Sequence, residues 1–259
     1  MKWTDEAEAA IKKVPFFIRK KVQTRVEKAA SDAGSVIVTL TEVTAVRTRY
    51  FSNMASEVKG YQLDTCFGPA GCPNRSVGSD ALNQKIEALL KAEDLRSFLK
   101  TTVTGELKFH HEFRIALADC PNACSQVQIK DIGIIGAALP VITNEACTLC
   151  NACVDQCREG AILIDGKEER IKIDYKRCLA CGKCIDVCPT GTIALDKKGF
   201  RVQLGGKLGR HPQLAQELHG IYSEDAMVDL VRRCVIFYKV NSHHGERFAE
   251  IFTMSDFLK

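Results

Sequence analysis

Twelve of the thirteen cysteines in this 259-residue chain fall into three groups of four. Two groups are contiguous and share one spacing, Cys-x2-Cys-x2-Cys-x3-Cys: "CTLCNACVDQC" from Cys147 to Cys157, and "CLACGKCIDVC" from Cys178 to Cys188. The third is split between "CFGPAGC", Cys66 to Cys72, and "CPNAC", Cys120 to Cys124. Such a density of thiols signals a disulfide scaffold only in a short secreted chain. Here the chain is long, and its opening "MKWTDEAEAA" lacks the charged-then-apolar pattern of a secretory signal. The groups therefore read as metal sites in a cytoplasmic protein. Zinc also accepts paired Cys-x2-Cys units, but its four-ligand demand gives no reason for a duplicated run of this form. The thirteenth cysteine, Cys234 in the apolar "DLVRRCVIFYKV", reads as a buried structural thiol.

The two contiguous runs resemble two-cluster ferredoxins. That resemblance implies two 4Fe-4S clusters with crossed ligands, because the fourth cysteine of each run in those proteins binds the other cluster. Cys147, Cys150, Cys153 and Cys188 would hold one cluster; Cys178, Cys181, Cys184 and Cys157 would hold the other. The internal repeat extends past the cysteines into "EGAILID" and "TGTIALD", each predicted as a short strand closing half of a ferredoxin-like unit. Pro189 follows Cys188 as the motif expects, whereas Arg158 stands after Cys157.

A hydrophobic content of 46% is ample for a buried core in one or two domains. The longest apolar run, Ile132 to Ile142, is interrupted by Pro140 and falls short of the roughly 18 residues that span a membrane. A net charge of +4 gives no nucleic-acid signature. Arg19, Lys20, Lys21 and Arg25 do gather on one predicted helix, as a solvated face or as a site for an acidic partner or anionic cofactor. "GSDALNQKIEALLKA" predicts a helix capped by Ser79 or Asp80, with Leu82, Ile86, Leu89 and Leu90 at helical spacing. "EFRIALADCPNAC" reads as a strand entering a tight turn, and "QVQIKDIGIIGAALPVI" as an apolar strand. A further helix is expected from Glu224 to Val240, started by Ser223.

Cys66-x5-Cys72 and Cys120-x3-Cys124, followed by "DIGIIG" from Asp131 to Gly136, resemble the sirohaem and 4Fe-4S domain of sulfite and nitrite reductases. The likeness is to the small anaerobic or dissimilatory types with a two-cluster ferredoxin inserted after that strand. "FRVQLGGKLGRHPQLAQEL", Phe200 to Leu218, resembles the segment by which their domain resumes. "ADC" ahead of Cys120 is a small departure from the family's small residue and glycine. The resemblance implies an α+β fold, with a sheet domain over 60–142 and 199–259 and a ferredoxin-like domain over 143–198. It also implies a third 4Fe-4S cluster on Cys66, Cys72, Cys120 and Cys124, with Cys124 bridging to sirohaem. An external donor protein or redox-complex subunits would supply electrons for reduction of a small oxyanion, in an anaerobic setting.

Residues 1–59 resemble a different family, the small C-terminal domain found in light-independent protochlorophyllide reductase. Trp3, Glu6-Ala7, "VPFFIRKK", Glu27, Ala30 and Gly34 carry the likeness. A helix is expected after Thr4, a second with Pro15 near its first turn and Gly34 just past its end, and then a strand in "SVIVTL". That family also handles a tetrapyrrole.

An oxyanion and a carboxylate-rich macrocycle both call for charge-assisted donors, arginine above all. Arg47, Arg49, Arg75 and Arg114 are the candidate anion contacts, and Lys207 and Arg210 candidate cofactor contacts beside Cys124. Lys108, His110 and His111 are further possibilities. Arg47 and Arg49 alternate as on one strand face, although a helix fits there equally. "GGKLG", Gly205 to Gly209, lacks the spacing of a phosphate loop and reads as a turn against a flat cofactor or as a simple connector. His243 and His244 read as a polar helix end. Two other functions fit the cysteines: a sirohaem-free electron-transfer subunit with three clusters in a larger redox complex, or a maturation or sensing protein that binds a tetrapyrrole. Basic residues converging on the Cys124 side would favour the reductase. Cys124→Ser is expected to remove the electron-paramagnetic signal of the split site and leave the two ferredoxin-type signals; loss of all three together would show that the sites are not independent.

Overall fold

The computed structural model describes residues 1–165 and 170–257. Its chain separates into two units, Met1–Val58 with Gly105–His110, and Lys59–Thr104 with His111–Lys259. Among the described residues no helix is long and apolar enough to cross a membrane.

The first unit comprises β1 (Lys2–Trp3), α1 (Asp5–Lys12), α2 (Phe16–Asp32), β2 (Ile37–Val38) and α3 (Leu40–Glu57). Thr4 caps α1 by accepting from the Ala7 N–H. Gly34, at φ +75°, ends α2: its N–H reaches the Ser31 carbonyl and the Ser35 N–H reaches that of Ala30, the two bonds of a Schellman motif. The strand expected in "SVIVTL" shrinks to Ile37–Val38, paired in parallel with Lys2–Trp3. Thr39 is already the cap of α3, locked by a box in which Glu42 accepts from the Thr39 N–H at 2.8 Å. Ala7, Val26, Ala30 and Val38 form the core, with the Trp3 indole donating to Glu27 at 2.9 Å beside it. Arg47 and Arg49 lie on α3 and are exposed. Two residues apart on a helix they diverge by about 200°, so they do not share the face that a strand would give them.

The second unit is built on a five-stranded sheet ordered β3 (Tyr61–Thr65), β4 (Phe113–Ala118), β5 (Ile132–Ile142), β8 (Ile193–Leu204) and β9 (Gln216–Tyr222). The first three strands are parallel; β8 pairs antiparallel with β5 and with β9. Helices α4 (Asp80–Ala92) and α5 (Leu95–Thr102) make the crossover between β3 and β4, as parallel pairing requires. α8 (Glu224–Asn241) packs against α4 and β8, and the short α9 (Phe248–Ile251) and α10 (Met254–Phe257) follow it. Ser223 caps α8 as expected. Tyr238 lies in the core against Phe113, ring centres 5.2 Å apart, and Phe98 at 5.3 Å. Cys234 is fully buried on α8, and burial drives its thiol far above the ordinary value.

β4 and most of β5 are buried on both faces, which accounts for their near-continuous apolar sequence. β5 and β8 run together well past the other strands. Their outer halves pair Val141 with Ala194 and Ile142 with Ile193, beyond a register shift at Leu139/Pro140, where proline withdraws a ladder donor. The contiguous cysteine runs hang from this ribbon, with α6 (Ala152–Gln156), β6 (Ile162–Asp165), β7 (Arg170–Ile173) and α7 (Lys183–Asp186) between its strands. The last four residues of "TGTIALD" thus open β8, which runs unbroken across the 198/199 boundary expected from sequence. Gly136 on β5 lies against the Asp119 backbone, and a Cβ there would come within 2.6 Å of its carbonyl oxygen. Gly136→Ala is expected to cost about 1–3 kcal/mol by overpacking, read as a lower urea midpoint with an unchanged slope.

Candidate metal centre

Parallel register places the ends of β3 and β4 side by side, Thr65 opposite Leu117. Cys66 follows β3 directly, its N–H donating to the Leu117 carbonyl at 3.0 Å, and Cys120 lies just past β4. The split cysteines thus sit at the carboxyl ends of adjacent parallel strands, where open α/β sheets bind ligands. Cys66 packs on Ala116, Ala118, Ala123, Val127 and Ile135. Its Sγ accepts from the N–H groups of Gly68 and Asp119, each at 3.3 Å. A 3-10 turn at Gly68–Ala70 brings Cys72 round, and Ala123 at φ +51° turns the chain between Cys120 and Cys124. Burial pushes the Cys120 thiol up against the pull of the Asn122 N–H, and the thiols of Cys124, Cys66 and Cys72 add to the rise. The four are close enough to feel one another. Cys120 is buried and Cys124 exposed.

Each contiguous run is shaped by left-handed residues at matching positions, Leu149 and Asn151 in the first, Ala180 and Gly182 in the second. This repeat of backbone shape turns the Leu149 N–H toward Cys147 Sγ and the Ala180 N–H toward Cys178 Sγ, both at 3.4 Å. Cys147, Cys150, Cys153 and Cys188 line one small pocket with Ile164 and Ile171. Cys157, Cys178, Cys181 and Cys184 line a second cavity of about 340 Å³. The fourth cysteine of each run therefore stands with the first three of the other. Burial pushes the Cys184 thiol up to about 12, with Cys181, Cys178 and Cys157 adding to it. Burial also acts to raise Cys188, but the Ile193 N–H, the Thr190 hydroxyl and the N–H groups of Thr190 and Gly191 outweigh it and hold that thiol below its ordinary value. The larger cavity is also lined by Cys120, Pro121, Asn122 and Asn74, so the second run and the split set share one space.

The basic candidates are placed differently from the thiols. Arg75 is ion-paired to Asp119, Nε to Oδ2 at 2.5 Å, and to Asp80. Its guanidinium anchors the split-site loop through these two carboxylates. Asp119 is 1% exposed and also accepts from the Ser79 hydroxyl at 2.5 Å. Ser79 thus serves this carboxylate, although it occupies the cap position of α4. The aspartate of "ADC", a small departure on sequence alone, is the buried anchor of the loop. Two signals for it stand in the chain, an acidic residue in an apolar strand end and an arginine just past the first cysteine loop, but neither could be paired without the fold. Arg114 is the second residue of β4, at the opposite end of the strand from the turn that carries Cys120. Lys207 pairs with Glu250 at 3.0 Å, and Arg210 is exposed in the following loop. Gly205 rests on the Phe252 ring and Gly206 on the backbone of Gln128 and Lys130, so "GGKLG" serves close chain packing. Arg47, Arg49, Lys108 and His110 belong to the first unit, and His111 to the second. His243 and His244 are exposed after α8.

With this geometry in view, residues 61–256 match the family model described as "Nitrite and sulphite reductase 4Fe-4S domain". The chain belongs to that family. Residues 3–47 match the model described as "Proto-chlorophyllide reductase 57 kD subunit". A coenzyme F420-dependent sulfite reductase of Methanocaldococcus jannaschii is 40% identical over 128 residues, 49% of this chain and 20% of that protein. One of the subunits of the anaerobic sulfite reductase of Salmonella typhimurium is 28% identical over 105 residues, 40% of this chain and 26% of the relative. At the N-terminal end, one of the subunits of the light-independent protochlorophyllide reductase of Chlorobium limicola is 56% identical over 39 residues, 15% of this chain and 7% of that protein. The chain's matched segments thus span about a quarter or less of these relatives' lengths. Iron–sulfur binding is the family's property, and the thiol sets with their N–H···S bonds suit it.

Asp131, which opens the family-like "DIGIIG", is 2% exposed and accepts from the Arg114 N–H at 2.8 Å. Burial raises its carboxyl from 3.8 to about 6, against the pull of that N–H and of the Arg247 and Arg114 charges. Between those values the folded chain holds a proton that the unfolded chain has lost. The contribution of Asp131 to stability therefore falls as pH rises from about 4 to about 6, by an amount on the order of 3 kcal/mol. The stability difference between wild type and Asp131→Asn is expected to shift against wild type as pH rises across this range, read from paired urea unfolding curves.

Proposed function

We propose that this chain is a redox subunit of a sulfite or nitrite reductase, with 4Fe-4S clusters on all three cysteine sets and sirohaem beside Cys124. The ferredoxin-like region 143–198 receives electrons from a donor protein or partner subunit, and the split set lies at the receiving end. One observation carries the reading: Cys120 of the split set lines the same cavity as Cys157, Cys178, Cys181 and Cys184. Bound clusters would supply one-electron storage, and sirohaem the multi-electron reduction of a sulfur or nitrogen oxyanion. The chain's own part is to hold thiolates. N–H groups of Gly68 and Asp119 on Cys66, of Ala161 on Cys157 and of Ile193 on Cys188 favour the charged sulfur, and hydrogen bonds of this kind also tune cluster potential. Ile162, Ile171 and Ile193 pack with Cys153 and Cys184 in one buried apolar cluster of the ferredoxin-like region. Cys124 is the exposed thiol of the split set, which leaves it open to a macrocycle from the solvent side.

A specific observation favours a second reading, an electron-transfer subunit without sirohaem. Within the second unit Arg75 is tied to Asp119 and Asp80, Lys207 to Glu250, and Arg114 stands at the other end of β4. An anaerobic visible spectrum with pigment extraction separates the two, on protein made in cells able to synthesise sirohaem. The reductase reading expects one extractable sirohaem per chain together with iron and sulfide for three cubanes. Three cubanes without pigment would establish the electron carrier instead.

A further inference from the structure

The two cysteine runs are alike in spacing and backbone shape, yet they are held differently. Cys150 of the first run is exposed, whereas its counterpart Cys181 is half-buried. Three successive carbonyls of the second run are each taken by a donor from outside it. The Leu179 carbonyl accepts from Arg201 Nη1 at 3.0 Å, that of Ala180 from the Ala138 N–H at 2.7 Å, and that of Cys181 from the Ser76 hydroxyl at 2.8 Å. Two of these donors belong to the β5–β8 ribbon. The third belongs to the split-site loop.

Ser76 faces both ways. Its hydroxyl donates to Cys181 while its N–H donates at 2.8 Å to the carbonyl of Asp119, the residue before Cys120. Cys181 of the second run is thereby joined to the residue next to Cys120 of the split set through a single residue and two hydrogen bonds. Lys183 adds a parallel link, its Nζ donating at 2.8 Å to the Pro73 carbonyl next to Cys72. Behind Ser76, Arg75 pins the loop to buried Asp119. Residues 72–76 therefore bridge the shared cavity along one side, with Asn74 in its lining.

We propose that Ser76 is a positioning residue that locks the second cysteine run onto the split set and fixes the spacing of the two thiol groups. This rests on the cluster reading above, since the value of a fixed spacing lies in what the thiols hold. A serine merely filling space would be replaceable by alanine without loosening Cys181; a clamp would not be.

The test compares anaerobically purified, cluster-bearing wild type with Ser76→Ala and Ser76→Thr, the latter keeping the hydroxyl. Amide hydrogen exchange in 178–184 is expected to rise roughly fivefold in the alanine variant, the opening that follows loss of one net hydrogen bond, and to return toward wild type in the threonine variant. The reduced alanine variant should also show weaker spin coupling between the two centres at unchanged iron and sulfide content. Unchanged exchange in 178–184 for Ser76→Ala would overturn the proposal. Should that variant fail to fold, Ser76→Val against Ser76→Thr repeats the comparison at matched size, with and without the hydroxyl; faster exchange in the valine variant supports the clamp, and equal exchange overturns it. Wild type that lacks iron and sulfide would defeat the cluster reading instead, and the metal count identifies that failure separately from the exchange result.

Discussion

The pairing of β5 with β8 is the constraint on which the second unit depends. Both strands are long, 11 and 12 residues, and both belong to the central sheet at one end and to the cysteine-bearing region at the other. A ribbon of this kind transmits position: the inner half is fixed by burial between β4 and β9, and the outer half carries that fixity to Thr143 and Thr192, where the chain leaves and returns. Because the Thr143 N–H bonds to the Thr192 carbonyl at 2.8 Å, the intervening segment starts and ends at one point. The 178–184 loop then folds back on the ribbon, its Ala180 carbonyl on the Ala138 N–H.

The second organising device is a buried carboxylate. Asp119 sits between the ends of β3 and β4 with Arg75 on one oxygen and Ser79 on the other. Its backbone carbonyl receives the N–H groups of Ser76 and Val77. A buried charge is tolerable only when so fully matched, and removing one partner of such a pair leaves the other unsatisfied. The loop that carries Cys72 is in this way fixed to the strand that delivers Cys120, and thiols far apart in sequence are held at one end of the sheet. Arginine is suited to this duty by its rigid fork of donors. The same property makes it a plausible oxyanion ligand on sequence grounds.

The first unit illustrates a different balance. Its helices are legible in the sequence because their ends are written locally: Thr4, the Thr39–Glu42 pair and Gly34 each act on backbone groups within a few residues. Its strand is shorter than expected because "SVIVTL" is rich in β-branched residues, a preference that holds only where a partner strand is available. Lys2–Trp3 offers two residues of pairing, and Thr39 claims the rest for the helix cap. Arg47 and Arg49 change meaning for the same reason.

Sequence alone determined the grouping of twelve thiols, the duplicated run, the family-like "DIGIIG", and the helices from Asp80 and from Glu224. Each of these is a matter of spacing along the chain or of periodicity within one element. Tertiary structure decided which thiols share a space. The split set meets at the ends of two parallel strands joined by a helical crossover, and the second run faces it together with Cys157 from the end of the first. It also decided the work of Arg75, Asp119, Ser79 and Ser76, whose partners are tens of residues away in the chain. Spacing encodes which residues can act alike, but only the closure of a sheet fixes which of them lie within hydrogen-bonding distance.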